Sequence, residues 1–197
     1  MIITVTGRSG CGKSTLALML SVKLNLPLID VDEIVEGMYS DPNMQNTLKT
    51  AFGDVVEGAD GKVEKRLVSK IVLNNRDHWD TLNYLTWNYL EKKIDERLAE
   101  NNNNAIIDYK FIPVTKFFEL SDYNILVEAK NDKIREKKLI KRDKIDKYTV
   151  KKRDNFSPNY KRHEFNYVVL NTYNKDFAVV CESLIRQIKE DIENKNK

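Results

Sequence analysis

The sequence predicts an α/β fold: a parallel five-stranded sheet with helices on both faces. Three observations carry this. Five short, apolar, largely β-branched runs recur along the chain, helical periodicity fills the stretches between them, and a glycine-rich turn joins the first run to the first helical segment.

The elements follow in order. "IITVT" (2–6) has the length and composition of a buried strand. From Lys13 the period changes: Leu16, Met19, Leu20 and Leu24 fall at helical spacing, and Asn25 with Pro27 ends the run. "PLIDV" (27–31) is the second strand, closing on Asp30 and Asp32. These two carboxylates would share a face if the strand continued. Between it and the third strand lies more than one crossover helix. Val63, Leu67 and Ile71 recur every four residues, and Leu82, Thr86, Leu90, Ile94 and Leu98 do so again. Trp79, Tyr84, Trp87 and Tyr89 lie in these helices and are expected chiefly in their core, with a stacking role as the alternative. The polar "NNNN" (101–104) feeds the third strand, "AIID", which finishes at Asp108. "YNILVEA" (123–129) and "FNYVVLN" (165–171) are the fourth and fifth strands. Helical runs at 131–144 and from Phe177 to Ile192 complete the set, and the tail "EDIENKNK" is expected to fray.

Composition excludes several classes. The chain has 197 residues, 41% hydrophobic and 32% charged, with a net charge of +3, as in a globular domain that needs no disulfide or metal staple. No apolar run approaches ~20 residues, so no spanning helix and no membrane partner is expected. The N-terminus enters a strand-like run directly, so no leader is expected either. Cys11 and Cys181 have no metal-ligand spacing, and a reducing cytoplasm is the expected compartment. His78 and His163 are expected in surface or packing roles. Residues 130–162 carry 14 Lys/Arg against 5 Asp/Glu. Such a run can be a solvated helix face, a nucleic-acid patch, or a lid over a polyphosphate.

The turn itself is the most specific signal. "GRSGCGKS" fits G-x-x-x-x-G-K-[ST], with Gly7, Gly12, Lys13 and Ser14 at the fixed positions, a strand before it and a helix after it. Glycines let successive backbone N–H groups turn toward an anion, and the helix beginning at Lys13 adds its positive end. Gly10, Cys11, Gly12, Lys13, Ser14 and Thr15 are thus the expected nucleotide contacts. The Lys13 ammonium, placed at a solvent-facing ligand site, serves the β- and γ-phosphates of ATP, and the Ser14 hydroxyl serves magnesium. Cys11 is a small filler of the loop, or alternatively a thiol with lowered pKa beside Lys13. The whole is expected to be a P-loop NTPase three-layer sandwich. Its core is expected at 1–40, 104–135 and 160–193, with a helical insertion at about 41–103 and a basic lid at about 136–159.

Beyond the loop the chain resembles the dephospho-coenzyme A kinase family, over nearly everything up to about residue 172. "TGRSGCGKST" is similar to that family's Thr-Gly-Gly-x-x-x-Gly-Lys-Ser-Thr, and "LPLIDVDEI" to Ile-Asp-Ala-Asp-x-Ile. From Gly61, "GKVEKRLVSKIVLNNRDHWDTLNYLT" tracks a block reading Gly-x-hydrophobic-Asp-Arg-x-x-Leu, Ile-Phe, Leu-Asn-x-Ile-x-His-Pro. "KLIKRD" (138–143) resembles Arg-Leu-x-x-Arg-Asp, where the lid begins, and "FNYVVLNTYN" resembles Ala-Asp-Tyr-Val-Ile-Asp-Asn-x-Gly. Departures fall at Arg8 (the family's second glycine), at Glu64-Lys65 (Asp-Arg), at Trp87-Asn88 (His-Pro) and at Tyr109-Lys110. Asn155 falls near the lid glutamine.

The resemblance implies ATP-dependent phosphorylation of the ribose 3′-hydroxyl of dephospho-coenzyme A. The helical insertion would then bind that acceptor, and Asp32 would take its proton. Asp108, ending a strand at the sheet edge where ligands of open α/β sheets bind, has a Walker-B-like place beside magnesium. Its alternative is a loop cap, and that of Asp32 is a helix N-cap. Arg142 matches the lid's second arginine. Arg135, Lys138 and Arg142 fall at i, i+3 and i+7, and for the cations other than Arg142 the solvated face is the expected reading. Two readings stay open beside the leading one: another P-loop nucleoside or small-metabolite kinase, and a non-catalytic nucleotide-binding regulator. No nucleic-acid partner is expected.

Overall fold

The computed structural model describes residues 1–195. In chain order the elements are β1 (Ile2–Thr6), α1 (Lys13–Leu24), β2 (Leu28–Asp30), α2 (Val31–Met38), α3 (Pro42–Phe52), α4 (Lys65–Val72), α5 (Arg76–Glu100), β3 (Ala105–Asp108), α6 (Lys116–Leu120), β4 (Tyr123–Ala129), α7 (Asp132–Asp143), α8 (Lys147–Asn155), β5 (Tyr167–Asn171) and α9 (Asp176–Lys195). The last helix carries the tail expected to fray through Lys195, and residues 196–197 lie outside the described residues. The chain divides into two compact units, residues 1–30 with 101–197, and residues 31–100.

The first unit holds the sheet. All its strands are parallel, in the order β2-β3-β1-β4-β5, with Ile3 opposite Ile106 on one side and Tyr123 on the other. β1 is buried at every position, as a central strand covered on both faces must be. Its Ile3 and Val5 pack with Leu16, Ala17 and Leu20 of α1, Ile125 and Val127 of β4, and Cys181, Leu184 and Ile188 of α9. On β4, Asn124 accepts from the Thr4 hydroxyl and donates to the Phe118 carbonyl (2.8 Å), tying α6 to β1. α1 ends as its sequence predicts: Asn25 takes a left-handed φ of 54° and its N–H bonds Ser21 O.

The second unit is helical. Asp41 caps α3 by accepting from the N–H groups of Asn43 (2.9 Å) and Met44 (3.1 Å), with Pro42 at the first helical position. Met38, Met44, Leu48, Val56, Val63, Val68, Val72 and Leu90 form its core. Because Met38 sits in that cluster and Ile34, Val35 and Tyr39 pack against it, α2 belongs with the helical unit, not with the core residues up to 40. The predicted stripe of α5 holds, with Thr86, Leu90, Ile94 and Leu98 buried. The Val63 stripe does not. Val63 lies before α4 in an isolated antiparallel bridge to Glu57, and the buried face of α4 is Val68 and Val72. Trp79 and Tyr89 pack against the helical core as expected, and Trp87 Nε1 donates to Glu91 (3.1 Å). Tyr84 is 82% exposed, two residues or ~200° around the helix from Thr86. His78 packs edge-on against Phe52, and His163 is exposed.

Candidate active site

The loop between β1 and α1 lies at the C-terminal edge of the sheet and is shaped by close approaches. Gly7 has φ 138°, and a Cβ there would fall 2.1 Å from the carbonyl oxygen of Val127 on β4. Gly12 has φ 103°, and a Cβ would fall 2.5 Å from Nδ2 of Asn171 on β5. Both positions therefore require glycine for conformation and for space. Ser14 and Thr15, in the first turn of α1, are exposed.

Lys13 opens α1, and its Nζ lies 3.8 Å from Oδ1 of Asp108, the last residue of β3. The side chains are only 11% and 5% exposed. Lys13 is thus nearly enclosed against a carboxylate, where the sequence leads one to expect a solvent-facing ammonium. Asp108 in turn pairs in register with Asp30, the last residue of β2. β2 stops there: Val31 is buried and opens α2, so Asp32 falls in the first helical turn instead of on a strand face. Asp32 is exposed, and a carboxylate in a first turn complements the helix dipole.

Cys11 is 1% exposed. Burial pushes its thiol up, against the opposing pull of Lys13, so the lowered pKa considered for it does not occur and the filler reading stands.

Arg135 overturns the solvated-face expectation for α7. It is fully buried although it shares a predicted face with Lys138 and Arg142, both exposed. Its Nε donates to Asp132 (2.7 Å), its Nη2 to Asp154 of α8, and its Nη1 to the Ser9 carbonyl of the loop (2.9 Å). Two carboxylates outweigh burial and keep the guanidinium charged. Arg8 joins the same cluster through a two-pronged bond to Asp132 (2.7 and 3.1 Å). Burial works against the Asp132 carboxylate, but Arg135 and Arg8 together hold its pKa below the usual carboxylate range. Arg142, at the other end of α7, is 65% exposed on its side chain and donates to Asp143, which also accepts from Arg153 of α8 (2.8 Å).

Lys110, at one of the departures from the family's pattern, is held by several contacts. Its Nζ donates to Arg153 O (2.9 Å), and its own carbonyl accepts from Thr6 (3.0 Å) and Tyr160 (2.8 Å). Burial pushes its ammonium down to about 8. At the end of β5, Asn171 Nδ2 donates to Cys11 O (2.9 Å), and in the turn after it Tyr173 Oη donates to Gly10 O (2.9 Å). The only advance signal for these two was the block "LNTYN", which pattern alone assigns to a strand end.

The donor chemistry suits a nucleotide-bound magnesium. Mg²⁺ at such sites takes one or two carboxylates or hydroxyls plus substrate phosphates, not an all-protein cage. The Ser14 hydroxyl beside Lys13 and the Asp108 carboxylate are donors of that kind. Among the described residues no cluster of three or more His, Cys, Asp or Glu could hold a metal alone.

A parallel sheet ordered β2-β3-β1-β4-β5, with this loop between its central strand and the next helix, has the fold of the P-loop kinases. The structure superimposes on a dephospho-CoA kinase from Campylobacter jejuni with a TM-score of 0.64, at 19% identity, over 96% of this chain and 98% of that one. The chain belongs to the dephospho-CoA kinase family, whose model matches residues 1–176. A dephospho-CoA kinase from Carboxydothermus hydrogenoformans is 30% identical over 120 residues, 60% of this chain and 57% of that one. The chain thus spans little more than half the length of that curated relative. A cytidylate kinase from Methanosphaera stadtmanae is 28% identical over 99% of both chains.

Proposed function

We propose that the protein transfers the γ-phosphoryl group of ATP to the ribose 3′-hydroxyl of dephospho-coenzyme A, giving coenzyme A and ADP. The observation that carries this is the Lys13–Asp108 pair at the mouth of the loop, in a chain of the dephospho-CoA kinase family. The bond between the acceptor 3′-oxygen and γ-phosphorus forms as the bond from γ-phosphorus to the β,γ-bridging oxygen breaks. Asp32 takes the hydroxyl proton. Gly10, Cys11, Gly12 and Thr15 contact the triphosphate, and Lys13 follows the charge on the migrating group. Ser14 and Asp108 would hold magnesium, which would supply neutralisation of phosphate charge. α7–α8 form a lid that brings Arg142 to the phosphates and excludes water.

The reaction is cytoplasmic in this reading. Among the described residues no helix is long and apolar enough to cross a membrane. A second reading, a nucleoside monophosphate kinase, is favoured by the alignment to the cytidylate kinase across both whole chains. The deciding experiment is an acceptor panel, with ADP release measured for dephospho-coenzyme A, adenosine, CMP and pantetheine derivatives. Release stimulated by dephospho-coenzyme A alone is expected. Stimulation by CMP instead would replace the proposal with the second reading, and tight ATP binding with no acceptor stimulation would favour a regulator.

A further inference from the structure

Every carbonyl from Arg8 to Gly12 accepts a hydrogen bond. Two of the donors are local: Cys11 N bonds Arg8 O (3.2 Å), and Leu16 N bonds Gly12 O in the first turn of α1 (3.2 Å). The other three come from outside the loop. Arg135 Nη1 bonds Ser9 O, Tyr173 Oη bonds Gly10 O and Asn171 Nδ2 bonds Cys11 O, each at 2.9 Å. Three consecutive peptide planes are therefore pinned by side chains of α7, of the end of β5 and of the turn after it.

We infer that Arg135, Tyr173 and Asn171 are positioning residues that set the loop for a polyphosphate: Arg135 and Asn171 hold the carbonyls of the planes whose N–H groups belong to Gly10 and Gly12, and Tyr173 holds the Gly10–Cys11 plane, whose N–H closes the loop's turn on Arg8 O. This rests on the reading that the loop binds ATP phosphates. The physical reason is the planarity of the peptide: anchoring a carbonyl on one side commits the next N–H to the other. Left-handed glycines at Gly7, Gly10 and Gly12 make this stretch easy to flip. A flipped peptide would present a carbonyl oxygen to an anion. Donors fixed in advance need no reorganisation when the anion arrives.

The anchors are themselves held. Arg135 is fully enclosed and its fork is divided between Asp132 and Asp154. Asn171 is 5% exposed, and its Oδ1 accepts from Tyr173 N (2.7 Å), which links two anchors directly. Tyr173 adopts φ 62°, a left-handed conformation that bulky residues rarely take, and Lys138 Nζ stands 5.4 Å from its ring centroid. An ordinary φ would carry the ring elsewhere. The strained backbone is what delivers the hydroxyl to Gly10 O. Gly12 completes the fit, since any side chain there would meet Asn171 Nδ2.

The test uses Tyr173→Phe, which keeps the ring and removes only the hydroxyl, with Arg135→Lys as the second variant. Affinities for magnesium-ATP and for inorganic tripolyphosphate are measured by calorimetry at 25 °C beside thermal melts. Losing one anchoring hydrogen bond should weaken both ligands alike, by roughly 3- to 10-fold. Arg135→Lys, which offers one nitrogen where the guanidinium uses three, should weaken both at least as much. Two outcomes for Tyr173→Phe overturn the inference: both affinities unchanged, whether or not the melting temperature falls, or loss for ATP with tripolyphosphate unaffected. The last would make the residue a nucleobase contact. If Arg135→Lys does not fold, Tyr173→Phe decides. Wild-type protein that binds neither ligand would instead remove the phosphate-loop reading itself.

Discussion

Lys13 Nζ and Asp108 Oδ1 stand 3.8 Å apart, with both side chains nearly enclosed. Two opposite charges so placed are tolerable as a pair and costly singly. Lys13→Ala should lower turnover by orders of magnitude, about 10³-fold, through loss of charge stabilisation. It should also lower the melting temperature, because Asp108 loses its paired cation. Adding Asp108→Asn to Lys13→Ala should return part of the stability and none of the turnover. Melts and steady-state ADP release on the single and double variants check this.

Asp32→Asn keeps the size and hydrogen bonding of the side chain but cannot accept a proton. Turnover with dephospho-coenzyme A should fall by roughly 10²-fold or more, as when a general base is lost. ATP affinity should hold, since the loop proposed to hold the phosphates is residues 7–15. Asp32 lies exposed in the first turn of α2, so stability should change little. Unchanged turnover would remove the proton-acceptor role.

Arg142→Ala tests the lid separately from the fold. The side chain is 65% exposed and pairs with Asp143, which keeps Arg153 as a second partner. An exposed pair of this kind contributes about 1 kcal/mol at most, so melting should barely move. Turnover should drop at least tenfold if Arg142 reaches the transferring group, as one lost charge-stabilising contact implies. Wild-type turnover would return Arg142 to a solvated face.

Lys110 carries a pH signature. Its folded pKa of about 8 lies below its ordinary value of 10.5, so the folded protein binds fewer protons than the unfolded chain between those values. Stability from this group therefore rises with pH through that window, and its full cost is present below pH 8. Lys110→Met removes the effect. Relative to wild type, the variant should be more favoured at pH 7 than at pH 10, by about 3 kcal/mol at most. Denaturant melts of both proteins at the two pH values check the sign. A pH-independent difference would mean that the lysine is not desolvated.

The parts of this protein legible in its sequence are those set by local pattern. The strand at 2–6, the helix from Lys13 and its end at Asn25 follow from period and from left-handed-tolerant residues. The stripe Thr86–Leu90–Ile94–Leu98 was legible because one helix of 25 residues carries it whole. Asp32 was misplaced because β2 stops at Asp30 and α2 starts at Val31, two residues short of a strand running on to Asp32, and the local composition suits either.

Arg135 shows where pattern fails. Its spacing to Lys138 and Arg142 is that of a charged surface stripe, and nothing local marks it for burial. It is enclosed because Asp132, Asp154 and the Ser9 carbonyl, 126 residues away in the chain, converge on one guanidinium. Likewise the sequence by itself determined that a phosphate loop exists, since its glycines and lysine act through backbone conformation and a helix terminus that are local. Tertiary structure alone decided what holds that loop in shape. The side-chain donors to its carbonyls come from positions 135, 171 and 173, and a hydrogen bond between residues so far apart depends on the packing of β4, β5 and α7, which no short window of sequence encodes.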